Sequence, residues 1–306
     1  MLPSWTILAF LAPLLWSFVG FIDKFVISKY VPDDQGAESL VIFTGLTGFI
    51  MAAGIVLFGH AVYGIPARDV FWIMIAGILY VAAFIPYLIA MKSADASVVV
   101  SLYQLTPVFS YVLARIFLGE TLTPIQMLAG VLVICGAIAL SSDPDRRFRS
   151  DRKTFGLMAL SSLGLATSAL LFKYFALDTL DPWATAFWEY VGGGLCSLFL
   201  FGCIGSYRKP FLSLLKIGGA RIASLNLFGE ILTVFGTLAM SFASLSAPLA
   251  VVSIINGTQP FIMLLLGGFF TAFLPHLITE HNEHTHLIHR IVSASVIFVG
   301  VILLFV

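Results

Sequence analysis

The sequence predicts an all-α integral membrane protein of ten transmembrane helices in two inverted five-helix repeats, and three observations carry that prediction. The 306 residues are 59% hydrophobic and only 10% charged, against roughly 45–50% and about 25% in an ordinary soluble domain. Mean hydropathy is +1.02. Too few polar side chains exist to cover a water-facing surface, so the solvent of this fold is lipid. Apolar runs of about 20 residues, the length a bilayer requires at 1.5 Å per residue, recur along the chain between short connections. Finally, the two halves repeat each other.

The spans follow in order. Span one, 5–30, begins within MLPSWTILAF; it lacks a basic leader and runs too long for a cleaved signal peptide, so it is expected to stay as a helix. VPDDQGAES (31–39) turns the chain into span two, 39–59. Span three, 70–91, closes on AMKSA (90–94), and span four, 97–118, carries Pro107. The turn GETLTP (119–124) leads to span five, 123–141. A charged linker, 142–153, precedes span six, 154–177, and LDTLDP (177–182) precedes span seven, 183–206. After a second charged connection, 207–221, come span eight (222–243), span nine (248–275, with Pro260) and span ten (287–306). Cys135, Cys196 and Cys203 lie inside apolar runs and form no disulfide framework.

The repeat keeps nearly one register. AMKSA (90–94) matches AMSFA (239–243) at an offset of 149 residues, and Lys24-Phe25 matches Lys173-Tyr174 at the same offset. After a four-residue insertion SLYQLTP (101–107) matches IINGTQP (254–260), and VICGAIAL (133–140) matches IFVGVILL (297–304). Residues 1–141 and 154–306 are therefore expected to be the two repeats. Five helices each is an odd number, so the second copy enters the membrane from the opposite side. Proteins built this way bind substrate near the midplane, between the repeats. Of sixteen Lys and Arg, eleven fall on the connections 1–2, 3–4, 5–6, 7–8 and 9–10, and only Arg68 on the other face. The positive-inside rule puts those connections in the cytoplasm and both termini outside, in a bacterial inner (plasma) membrane.

The run TPVFSYVLARIFLGETLTPIQMLAGVLVICGAIAL (106–140), with Pro107, the Gly119-Glu120 turn and Gly130 and Gly136, resembles the EamA-like branch of the drug/metabolite transporter superfamily. The "A-M-x-x-A" ends of spans three and eight fit the same family. The resemblance implies a transporter, and metabolite export is among the roles it suggests. It also implies a central cavity formed by spans three, four, eight and nine. The second half departs from the family pattern: no Gly-Glu turn follows span nine, Glu280 stands in its approximate place, and the charge count reverses the orientation of many relatives.

Ionisable groups inside a bilayer cost several kcal/mol unless paired or wet, so each is a functional candidate. Glu230 lies near the centre of span eight with Asn226 and Thr233 on the same face, and its repeat partner is Val81, beside Tyr80. Glu189 lies two turns into span seven, and Lys173 near the end of span six is its expected gate-like ion-pair partner. Lys24, the counterpart of Lys173 at the other mouth, makes an anionic cargo one option. Tyr103 and Gln104 in span four, and Asn256 and Gln259 in span nine, flank the two prolines, where a freed carbonyl needs a polar neighbour. Tyr80, Trp16, Tyr87 and Trp188 are candidate aromatic walls, with cation–π capacity for a cationic cargo.

Residues 276–290, HLITEHNEHTHLIHR, hold five of the six histidines. His281, His284, His286 and His289 are weak candidates for an accessory Zn²⁺ or for pH sensing. HExxH is absent, which leaves an intramembrane metalloenzyme or metal-binding sensor as the minor alternative. The leading expectation is a secondary transporter of a small polar or amphipathic metabolite, not an enzyme. It has no resident cofactor and no GxxxxGK[ST] motif for ATP. A protonatable carboxylate is the natural coupling group. A translocase of a lipid-linked or phosphorylated head group is the alternative. Small-molecule substrate and membrane lipids are the expected partners, with no nucleic acid; the sequence does not decide between monomer and homodimer.

Overall fold

The computed structural model describes residues 3–30, 37–94, 96–142, 152–178, 181–273 and 287–305. Among these residues the fold is all-helical, with no strand. The helices are α1 (Ser4–Tyr30), α2 (Ala37–Leu57), α3 (Ala67–Ser93), α4 (Ala96–Leu102), α5 (Leu105–Phe117), α6 (Pro124–Ser141), α7 (Arg152–Asp178), α8 (Pro182–Cys203), α9 (Gly205–Ser246), α10 (Leu249–Asn256), α11 (Gln259–Phe273) and α12 (Leu287–Leu303). Among the described residues eight helical segments are long and apolar enough to cross a membrane, and the apolar stretches Val41–Leu57 and Ile288–Leu303 are shorter. Large apolar side chains such as Ile7, Leu57, Leu160 and Ile288 cover the outer surface, as an integral membrane protein requires.

Two predicted spans are each interrupted. α4 and α5 are the halves of span four, and α10 and α11 are the halves of span nine. The physical cause is proline: Pro107 and Pro260 have no N–H to return to Tyr103 and Asn256 four residues earlier. The ladder tightens instead into three-residue bonds, Thr106 N–H to Tyr103 O (3.0 Å) and Gly257 N–H to Ile254 O (2.9 Å). Both breaks take one backbone form, with φ/ψ of −67°/−2° at Gln104 and −59°/−10° at Gly257. Just before α4 and α10 the chain is extended at Ala94 (−139°/163°) and Ala247 (−143°/159°), again nearly identical.

The second correction concerns 207–221, expected as a connection. Most of it is helical, and α9 runs from Gly205 to Ser246 across a kink at Gly219, whose φ is 56°. Residues 143–151 of the expected basic linker and 276–286 of the histidine-rich stretch, with His281, His284 and His286, lie outside the described residues. His289 falls in the first turn of α12 and is half-buried.

The helices pack in matching pairs. α1 lies along α9 and α3 along α7, while α2 packs on α9 and α3 on α8; α2 meets α8, and α6 meets α12. Small residues allow the closest of these approaches, as is usual between membrane helices. A Cβ built on Gly77 of α3 would collide with the backbone oxygen of Glu189 in α8, and one on Gly45 of α2 would collide with the Ser197 hydroxyl. These contacts bring α2, α3 and α8 together around one space.

Gly77→Ala should therefore lower the melting temperature of detergent-purified protein, since overpacking a tight contact costs about 1–3 kcal/mol. Gly54→Ala, where nothing lies within 4 Å, is the control and should leave the transition unchanged or slightly raised. Equal transitions for the two variants would remove the close approach of α3 and α8.

Candidate functional site

A small cavity opens between α2, α3, α8 and α9. Thr44, Gly45 and Gly48 line it from α2, Gly77, Tyr80 and Val81 from α3, Glu189, Tyr190 and Gly193 from α8, and Thr233, Val234 and Thr237 from α9. Tyr80 meets Thr237 across the space at 3.1 Å, and Tyr190 donates to Val234 O at 3.2 Å. Glu189, only 8% exposed, accepts from the Ser168 hydroxyl of α7 at 3.2 Å. Glu230 is buried one hydrogen bond behind the lining, accepting from Thr44 Oγ1 at 2.8 Å. Asn226 is buried on α9 one turn before it.

Three predicted residues, Glu189, Glu230 and Tyr80, thus gather at the cavity or one hydrogen bond behind it, with Asn226 one helical turn from Glu230. The others do not. Trp188 turns its indole N–H to Val62 O at 3.1 Å, and Trp16 donates to Thr233 O at 3.2 Å. Trp16 ties α1 to α9, Trp188 ties α8 to the segment that follows α2, and neither lines the cavity. Among the described residues spans four and nine contribute no lining residue, contrary to what the resemblance implied. Their polar groups face each other: a Cβ added to Gly257 would lie 3.1 Å from Gln104 Oε1, and the hydroxyls of Ser110 and Ser253 meet at 3.0 Å. Tyr103 packs edge-on against Tyr87 at the first break, with ring centroids 6.1 Å apart, while Asn256 and Gln259 flank the second. The side chain of Lys24 lies outside the described ones.

The expected Lys173–Glu189 pair does not form. Lys173 instead makes an ion pair with Glu120 and donates to Ala247 O at 2.7 Å. The other Glu120 oxygen accepts the backbone N–H of Leu249 at 2.7 Å. Gly119, at φ 67°, turns the chain after α5 and brings Glu120 over these partners. The physical reason for the switch is local. Lys173 stands five residues beyond Ser168 on α7, about 7.5 Å along the axis. At that height it meets the extended chain between α9 and α10, where Ala247 leaves a carbonyl and Leu249 an amide without helical partners. One carboxylate and one ammonium satisfy both ends, aided by the favourable placement of an anion at a helix N-terminus. Glu120 was visible in the sequence only as part of a turn signature; its distant partners carry no local signal. Tyr190, Thr44 and Thr237 were missed for the same reason.

Comparison with known proteins bears on this arrangement. Residues 3–142 match the EamA-like transporter family, so the resemblance read from the sequence is shown by the first half of the chain. No curated protein matches. A solved crystal structure, described only as that of a protein, has a TM-score of 0.68 at 15% identity, covering 98% of this chain and 96% of its own. At that identity the likeness shows the fold alone.

The Lys173–Glu120 pair generates a quantitative expectation. Removing one member of a buried ion pair leaves the other uncompensated, at a cost of about 3–5 kcal/mol. Glu120→Gln and Lys173→Met should each destabilise the purified protein on that scale, and the double variant should lose less than the sum. Strictly additive losses in thermal unfolding would show that the two side chains are not coupled.

Proposed function

With an EamA-like first half as its premise, we propose that the chain is a secondary transporter that moves a small metabolite by alternating access between residues 1–141 and 154–306. The supporting observation is the make-up of the cavity: α2 and α3 from the first half, α8 and α9 from the second. In the repeat register these are equivalent helices, spans two and three against seven and eight. The paired packing of α1 with α9 and α3 with α7, and the matched backbone at Ala94 and Ala247, also favour two copies of one unit in opposite orientations. Rocking such halves widens one mouth of the cavity as it narrows the other.

The Glu120–Lys173 pair is the latch of one mouth. It joins the turn after α5, the end of α7 and the junction of α9 with α10, so that mouth cannot widen without parting these elements. The positive-inside rule assigns the basic connections to the cytoplasm, which makes the latched mouth the outer one. Glu189 is the coupling group. An ionised carboxylate buried with a serine hydroxyl is costly, and a proton or a cargo charge relieves that cost. Around it stand Tyr80 from α3, Tyr190 from its own helix and Glu230 from α9, while Lys173 on α7 is committed to Glu120.

Metabolites that raise the melting temperature of purified protein should exchange across proteoliposomes in counterflow. An acidic interior should drive their accumulation several-fold above the external level. Glu189→Gln should weaken exchange and lose the pH-driven accumulation, because an amide carries neither the charge nor the titratable proton. Ligands that bind without exchanging would overturn the transport reading, and accumulation preserved in Glu189→Gln would move the coupling elsewhere.

A further inference from the structure

The hydrogen-bond inventory of the cavity is one-sided. Every hydroxyl proton on its lining is already committed inside the protein. Thr44 donates to Glu230 Oε1 at 2.8 Å, Thr233 to Gly229 O at 3.1 Å, and Thr237 to Thr233 O at 3.0 Å. Tyr190 donates to Val234 O at 3.2 Å. Because Thr237 has used its proton, the 3.1 Å contact with Tyr80 is a donation from the tyrosine. The glycines of the wall lie within helices, whose N–H groups serve the backbone ladder. What remains for a ligand is hydroxyl lone pairs, the faces of Tyr80 and Tyr190, and the Glu189 carboxylate, none of them a donor when the carboxylate is ionised. Among the described residues no lysine, arginine or histidine is on the lining, and Lys173 spends its charge on Glu120.

From this we infer that the cavity takes an organic cation, an ammonium group bearing small apolar substituents, with its charge beside Glu189 and its substituents against the tyrosine rings. The assignment names the cargo class of the transport site proposed above and rests on that reading. Three features fit the ligand. A cation neutralises a carboxylate that accepts from a neutral hydroxyl, that of Ser168. Tyrosine faces attract ammonium groups, and more strongly where water is excluded. Glycine walls at 45, 48, 77 and 193 offer an apolar surface without side chains, which suits methyl or methylene groups that need no hydrogen bond. An anion would meet only acceptors and negative π faces. That outcome disfavours the anionic cargo for which the two lysines had made a case.

The aromatic lining also continues beyond the cavity. Tyr80 stands edge-on to Phe84 at 5.5 Å, Phe84 to Tyr87 at 6.4 Å, and Tyr87 to Tyr103 at 6.1 Å. This row of rings runs from the cavity to the break between α4 and α5.

The test uses three probes of one shape and different charge: choline, the neutral 3,3-dimethyl-1-butanol and the anionic 3,3-dimethylbutanoate. Binding to the purified full-length protein is measured by isothermal titration calorimetry, and exchange of each probe by counterflow in proteoliposomes. Choline should bind one per chain, at least about tenfold more tightly than the alcohol, and the anion should not bind. Glu189→Gln should erase the preference of choline over the alcohol, while Glu189→Asp, which keeps the charge, should retain it. Size-exclusion profiles and helical circular dichroism report whether each variant is folded. Equal or tighter binding of the alcohol or the anion, absence of choline binding, or an unchanged ratio in a folded Glu189→Gln overturns the cation assignment. Counterflow of the neutral or anionic probe with no choline binding would overturn the cargo class and leave transport standing. Choline binding without counterflow would do the reverse.

Discussion

The absence of water in the bilayer core is the constraint on which the rest of this structure depends. Every polar group there needs a partner supplied by the chain itself. Helices satisfy the backbone, and some of the hydroxyls inside them bond back to the preceding turn: Ser17 to Pro13 O at 2.6 Å, Thr47 to Phe43 O at 3.0 Å, Ser295 to Ile291 O at 2.8 Å. The difficulty arises where a helix has to stop within the bundle. At the breaks beside Pro107 and Pro260 the chain tightens and the two breaks lean on each other. Between α9 and α10 it has neither device, and an ion pair from two remote segments is brought in.

That solution has a mechanical consequence. Lys173 and Ser168 share α7, and Ala247 follows the helix that carries Thr233 and Thr237. The latch and the cavity are therefore joined by two rigid helices. Ser168 reaches Glu189 on one level of α7 while Lys173 holds Glu120 on another. The charges separate accordingly. The basic group is neutralised at the latch, and the cavity is left with an acidic and aromatic lining whose hydroxyl protons are all in use. Close packing at Gly77 and Gly45 is what brings the walls near enough for that lining to be continuous.

Much of the site was legible because burying a carboxylate is costly enough to need a reason. Glu189 and Glu230 stood out in apolar runs for that cause alone, and Asn226 and Tyr80 followed from helical spacing and repeat register. The aromatic and amide candidates were less legible. Trp188, Gln104 and Asn256 are polar-tipped residues in membrane helices, and any of them serves equally well as a tie between helices. The Lys173–Glu189 expectation failed because Glu189 stands at the level of Ser168, about 7.5 Å along α7 from Lys173, while the competing carboxylate, Glu120, sits in a turn that one-dimensional reading assigns to the surface.

By itself the sequence determined what depends on the chain's local chemistry: a lipid-facing composition, the positions of the helices, the two prolines that break them, and the presence of carboxylates that need explanation. Hydrophobic runs, turns and missing N–H groups act over a few residues, so they can be read in one dimension. Only the tertiary structure decided which charge neutralises which, which helices surround the cavity, and in which direction each hydroxyl spends its proton. Those outcomes depend on the height and rotation of one helix against another, which are set by close contacts such as Gly77 against Glu189, and no short stretch of sequence records them.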